Sequence, residues 1–163
     1  VYSEIGVGTT MCLYFPRHGG EADPCEPQQR QAVVQNGNGK RIMVIEDEAT
    51  IPALIAEVLE EAGYMVLTAE DGPSGLSILQ QPGIIDMLVT DVGLPGGLNG
   101  RQVADAARVT RPDLQVLFIT GYAENAAVGN GLLEPGMQVL TKPFDIFALA
   151  NKVKEMSGAV NRS

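Results

Sequence analysis

Five polar side chains stand where apolar runs of the chain end: Glu46 and Asp47 after RIMVI, Asp91 closing IIDMLVTD, Thr120 closing LQVLFIT, and Lys142 after MQVLT. Three carboxylates brought together repel one another and raise each other's pKa, so the cluster is unfavourable unless a cation neutralises it. Hard oxygen ligands suit Mg²⁺, which takes one or two carboxylates from a protein and keeps several waters. A lysine and a hydroxyl across from the acids suit a phosphoryl group, whose equatorial oxygens need positive charge and donors while another oxygen attacks in line. The attacking oxygen would belong to Asp91, and the product would be an acyl phosphate. Any one of these acids alone reads as a helix cap or a solvated loop residue; the joint placement of all five groups is what points to chemistry.

Whether the five meet depends on the elements that hold them. RIMVIED, residues 41–47, is a short branched apolar run ending in acids, as a buried parallel strand does at its carboxyl end. A helix follows in EATIPALIAEVLEEAGY, with Leu54, Ile55, Val58, Leu59 and Ala62 on one face, Pro52 in the first turn and Gly63 placed to cap the end. Tyr64–Thr68 predicts a second strand, Gly72–Gln81 a short helix and residues 84–91 a third strand. Asn99 can cap a helix running to about Thr110, Pro112 stops it, and residues 114–120 form a fourth strand. Glu124–Glu134 reads as a weak helix, because Gly129 and Gly131 each cost about 1 kcal/mol relative to alanine. MQVLTKP supplies a fifth strand, and Asp145 caps a last helix holding Ile146, Leu149, Ala150 and Val153 up to Gly158. Five strands alternating with five helices predict a doubly wound α/β fold with a parallel sheet. Ligands of such sheets sit beyond the carboxyl ends of the strands, where the five polar groups stand.

Ahead of residue 40, EADPCEPQQRQAVVQNGNG is rich in Pro, Gln, Asn and Gly and reads as a linker too poor in apolar surface to fold. The 163 residues are 45% hydrophobic and carry a formal charge of -9, which disfavours nucleic acid or an anionic membrane as a direct partner. No apolar stretch approaches the roughly 20 residues of a membrane span, and VYSEIGVGTT lacks the basic start of a signal peptide, so a cytoplasmic location is expected. Cys12 and Cys25 fit no CxxC motif and read as free thiols, while His18, the single histidine, lies in linker-like sequence and has no bundle around it to serve as a phospho-donor.

The blocks IEDE, LVTDVGLPGGLNG, FITGY and TKPF resemble those of response-regulator receiver domains over residues 40–157. The resemblance implies a flavodoxin-like sheet of five parallel strands in the order 2-1-3-4-5. It also implies that Asp91 accepts a phosphoryl group from phosphohistidine on a histidine kinase or histidine phosphotransfer protein. Asp47 would be a direct Mg²⁺ ligand, Glu46 would hold metal-bound water, and the Gly93 carbonyl would complete the protein's share of the shell. Thr120 and Lys142 would bind phosphoryl oxygens, with Gly121 leaving room beside them. Many receivers have an aromatic residue where this chain has Val139. An aspartyl-phosphate phosphatase would need a second acid two residues after Asp91, where Gly93 stands, and a receiver-fold module that is never phosphorylated would be expected to lack some of the acids. SEIGVGTTMCLYFPR resembles the last glycine box and final strand of a histidine-kinase ATP-binding domain. The expected organisation is a kinase remnant at 1–20 without ATP affinity, a linker at 21–39, the receiver at 40–157 and a tail at 158–163, within a hybrid histidine kinase.

Overall fold

A computed structural model of the chain describes residues 2–4, 6, 8–14, 37–121 and 133–159. The chain divides into two units, Val1–Ala32 and Val33–Ser163. In the first, β1 (Tyr2–Glu4) pairs antiparallel with β2 (Gly8–Thr10), and Gly6 between them takes φ +82°, a conformation that favours glycine. Residues 11–14 form no strand; the strand pairing falls on Gly8–Thr10.

In the second unit the described elements are β3 (Arg41–Ile45), α1 (Thr50–Glu61), β4 (Met65–Ala69), α2 (Gly72–Gln80), β5 (Met87–Asp91), α3 (Gly100–Thr110), β6 (Gln115–Thr120), β7 (Met137–Thr141) and α4 (Ile146–Ala159). The five strands pair in parallel in the order β4-β3-β5-β6-β7, which is the expected 2-1-3-4-5 counted within this sheet. Alternate residues of each strand face opposite layers. Ile42, Val44, Val89, Leu117 and Ile119 pack under α1 and α4 with Ile55, Leu59, Leu149 and Val153. Met43, Ile45, Leu88, Val116 and Phe118 pack under α2 and α3 with Leu79, Val103, Ala104 and Ala107. Each fully buried Leu, Ile or Phe contributes about 1.5–3 kcal/mol, and the two cores together fix the plane from whose edge the polar groups project.

The caps follow from sequence. Gly63, at φ +88°, ends α1 in a Schellman turn, with Tyr64 N–H bonded to the Leu59 carbonyl at 3.1 Å and Gly63 N–H to that of Glu60 at 2.9 Å. Asn99 and Gln102 close a capping box at the start of α3, and Asp145 accepts from the Phe147 amide at 2.7 Å at the start of α4. Leu54 departs from expectation, being 50% exposed. The buried side of α1 runs through Pro52, Ile55, Val58 and Leu59, and Leu54 lies about 100° away from Ile55 around the helix. β5 begins at Met87 rather than at residue 84, because the Asp86 carboxylate takes the Arg41 amide at 2.8 Å and ends the apolar approach. Gly37 and Gly39, linker residues by composition, hydrogen-bond to the carbonyls of Ala62 and Gly63 at the end of α1. The helix expected at Glu124–Glu134 lies outside the described residues except for Leu133 and Glu134, which are irregular. Among the described residues no helix is long and apolar enough to cross a membrane.

Arg111 joins α3 to the turn after α2. Its guanidinium donates to the carbonyls of Leu79, Gly83 and Gln81 at 2.8, 2.7 and 2.8 Å. Charge-assisted bonds of this kind are worth more than neutral ones, and Arg111→Met leaves three carbonyls to find water or nothing, so the substitution is expected to cost about 2 kcal/mol in urea unfolding. A loss below about 0.5 kcal/mol, the range of ordinary surface substitutions, would mean the clamp is ornamental.

Candidate functional site

The strand ends bring Glu46, Asp47 and Asp91 together: one carboxylate oxygen from each lies within 4.8 Å of the other two. Parallel pairing of β3 with β5 accounts for this, since Ile45 lies opposite Thr90 and the next residues along both strands are the acids. Glu46 is 1% exposed and Asp91 6%, whereas Asp47 stands in solvent. Two buried acids and one open acid at a strand edge are a donor set of hard oxygens with a face left for water, which fits Mg²⁺.

Lys142 reaches the same acids from β7. Its backbone N–H bonds to the Thr120 carbonyl at 2.8 Å, tying the end of β7 to that of β6, and its ammonium pairs with Asp91 Oδ2 and lies 3.3 Å from Glu46 Oε2. The Lys142–Pro143 peptide is cis. On the other side of Asp91, the Gly93 amide donates to Oδ1 at 2.8 Å, so the two carboxylate oxygens are held by different partners and the rotation of the group is fixed. Sequence reading assigned Gly93 a carbonyl role and did not foresee its N–H. Thr120 is fully buried, and its hydroxyl donates to the Gly121 carbonyl at 2.9 Å. Thr120 is thus at the site's edge, one residue past the Asp91–Ile119 pair, with its hydrogen bond directed along its own chain. Val139 is half-buried and packs on the α2/α3 core. Cys12 is a free, exposed thiol; Cys25, His18 and Tyr122 lie outside the described residues.

Burial raises the Glu46 carboxyl above its ordinary pKa, the Asp91 charge raises it further, and the Lys142 charge and hydrogen bond only partly offset them. Burial works against the Lys142 ammonium, but the hydrogen bond and charge of Asp91, then those of Glu46, outweigh it and leave its pKa raised. The Glu46 shift has a definite consequence for stability. The folded chain holds the Glu46 proton more tightly than the unfolded chain, so stability falls as pH rises through the interval from the unfolded to the folded pKa, and the full penalty is present above the latter. In EDTA, Glu46→Gln is therefore expected to be more stable than wild type at neutral pH, with the gap closing as pH is lowered below the unfolded value. Urea midpoints across that range check this; a gap that opens on acidification would reverse the sign.

The comparisons with known proteins bear on the family and the fold. The family described as the response regulator receiver domain matches residues 42–154. Sensor kinase CckA of Brucella abortus (strain 2308) is 32% identical over an alignment 161 positions long that covers 94% of this chain and 17% of that kinase. The response regulator receiver protein CpdR of the same organism is 33% identical over 117 residues, 72% of this chain and 96% of its own length. Among solved structures, the receiver domain from the hybrid histidine kinase CckA is 35% identical with a TM-score of 0.60, covering 72% of this chain and 98% of that one. The response regulator TrrA from Thermotoga maritima, in complex with Mg²⁺-BeF, is 30% identical with a TM-score of 0.59 and the same coverage. The chain thus spans a small part of the sensor kinase it matches and nearly the whole of the single-domain relative.

Proposed function

The chain belongs to the response-regulator receiver domain family, and from that premise we propose that Asp91 accepts a phosphoryl group from the phosphohistidine of a histidine kinase or histidine phosphotransfer protein. The observation that supports this most directly is the Asp91 carboxylate itself: buried, held at Oδ1 by the Gly93 amide and at Oδ2 by Lys142, at the carboxyl edge of a parallel sheet. In the transfer an Asp91 oxygen bonds to phosphorus, the phosphorus–nitrogen bond of the donor breaks, and the imidazole leaves with the electron pair. Gly93 keeps the carboxylate from rotating away from the line of attack. Lys142, already between Asp91 and Glu46, moves its charge to a phosphoryl oxygen as negative charge builds there. Thr120 supplies a hydroxyl to a second phosphoryl oxygen once that hydroxyl leaves the Gly121 carbonyl. Glu46, Asp47, Asp91 and the Gly93 carbonyl would hold Mg²⁺, which when bound neutralises the clustered acids and the incoming phosphoryl charge. The related TrrA is solved in complex with Mg²⁺-BeF, which supports Mg²⁺ as the cation.

The alignment with a sensor kinase over 94% of this chain supports reading residues 1–20 as the end of a kinase ATP-binding domain, 21–39 as a linker, 40–157 as the receiver and 158–163 as a tail. The parent would then be a cytoplasmically facing hybrid histidine kinase that passes its phosphoryl group to its own receiver or takes it back through a phosphotransfer protein. A histidine phosphotransfer protein carrying labelled phosphate tests the proposal: the label should pass to this chain and be released by hydroxylamine, which cleaves acyl phosphates and spares phosphoserine. Label that stays on the donor, or that survives hydroxylamine, would overturn it.

A further inference from the structure

Asp91 is held by its backbone as well as by its carboxylate. Thr90, the residue before it, is fully buried at the end of an otherwise apolar strand, and its hydroxyl donates to the Asp91 carbonyl at 3.0 Å. On the same side the first residue of α3 closes over that carbonyl. A Cβ at Gly100 would lie 2.0 Å from the Asp91 oxygen and 2.8 Å from the Thr90 hydroxyl, so only glycine lets the helix approach this far, and the Gly100 amide bonds the Val92 carbonyl at 3.2 Å. The acceptor's peptide is thus clamped between a buried hydroxyl and a helix start.

We infer that Thr90 is a positioning residue for the acceptor: its hydroxyl, packed against Gly100, fixes the Asp91 carbonyl and through it the direction of the Asp91 side chain. This inference rests on the proposed phosphoryl transfer for its kinetic consequence but not for its structural one. The hydrogen bond of Thr90 goes to the backbone carbonyl of Asp91 and not to a carboxylate. Its effect reaches the carboxylate through one peptide unit, and the Gly93 amide, bonded to Asp91 Oδ1, reports where that carboxylate sits. Valine keeps the shape of threonine and deletes the hydroxyl, while serine keeps the hydroxyl and deletes a methyl group. A residue that matters only for packing should tolerate valine better than serine; a residue that positions Asp91 should do the reverse.

The test compares wild type, Thr90→Val and Thr90→Ser in the full chain by three readings: melting temperature, the Gly93 amide resonance without metal, and the rate of phosphoryl uptake at saturating acetyl phosphate and Mg²⁺. Thr90→Val should move the Gly93 resonance and slow uptake on the order of tenfold, within the roughly 100-fold that a 1 Å misplacement can cost. Thr90→Ser should keep the resonance and the rate even where it melts lower. A valine variant with an unmoved resonance and a wild-type rate, or rates that simply follow melting temperature, would overturn the inference. If wild type itself takes up no phosphoryl group, the proposed function fails, and the Gly93 resonance in the two variants still decides the role of Thr90.

Discussion

Asp91→Asn is expected to take up no phosphoryl group from any donor while folding as wild type does. Asparagine matches the size of the buried carboxylate and can still accept the Gly93 amide bond with its oxygen, so the packing at the end of β5 is retained. What it lacks is the nucleophile, since an amide oxygen does not form an acyl phosphate under these conditions. Its magnesium affinity should also fall, because a neutral amide is a poorer ligand for a hard cation than a carboxylate. The effect on metal-free stability is a balance of two changes. Removing the charge relieves the buried Glu46, whose carboxyl Asp91 pushes upward, but it also takes from Lys142 its nearer partner. The repulsion visible in the sequence alone would predict a gain; the Lys142 contact cancels much of it, and the net change should stay within about 1 kcal/mol. Urea unfolding in EDTA reads this term, and a loss of several kcal/mol would show that Asp91 is a structural residue first.

Lys142→Ala should separate charge from metal. Two buried acids lose their cation, and leaving buried charge uncompensated costs about 3–5 kcal/mol when the pair is fully enclosed. The Lys142 side chain is 31% exposed and water screens part of the loss, so about 1–3 kcal/mol is expected in EDTA. Magnesium should restore more stability to this variant than to wild type, because it replaces the missing charge beside the same acids. Phosphoryl uptake at saturating Mg²⁺ should slow on the order of 100-fold, the scale of losing one donor to developing oxyanion charge. A variant that binds Mg²⁺ no better than Asp91→Asn would place Lys142 in the metal site rather than on the phosphoryl side.

The parallel sheet and the placement of the acids were legible because buried parallel strands announce themselves as unbroken apolar runs, and their polar terminators fall at one edge whatever the details of packing; the strand order came only with the family resemblance. Edges and faces were less legible. β4 is an edge strand; Met65 and Leu67 are apolar yet exposed there, so the strand's apolar letters do not mark its buried side and its span is displaced by one residue from the expected Tyr64–Thr68. Leu54 misled in the same way, since a helix with apolar residues around much of its circumference does not declare which neighbour meets the sheet. Within the site, residue types gave the acids and the lysine, but the contact between Lys142 and Asp91 depends on the bond from Lys142 N–H to the Thr120 carbonyl, a matter of strand register. The hydroxyl of Thr120 bonding along its own chain, the Gly93 amide on Asp91, and the Thr90 hydroxyl over the Asp91 carbonyl are backbone-directed contacts. Residue type marked Thr120, and the family resemblance Gly93, as site residues, but neither showed where these hydrogen bonds go. The polar Thr90 inside MLVTD, next to the acid, was the one available hint.

The most direct measurement is intact mass after incubation of the chain with acetyl phosphate and Mg²⁺, followed by peptide mapping of the adduct after borohydride reduction. One added phosphoryl group that maps to Asp91 and is absent when EDTA replaces Mg²⁺ is the expected result. No added mass in the presence of Mg²⁺, or an adduct that maps to any other residue, would contradict the assignment of Asp91 as the phosphoryl acceptor.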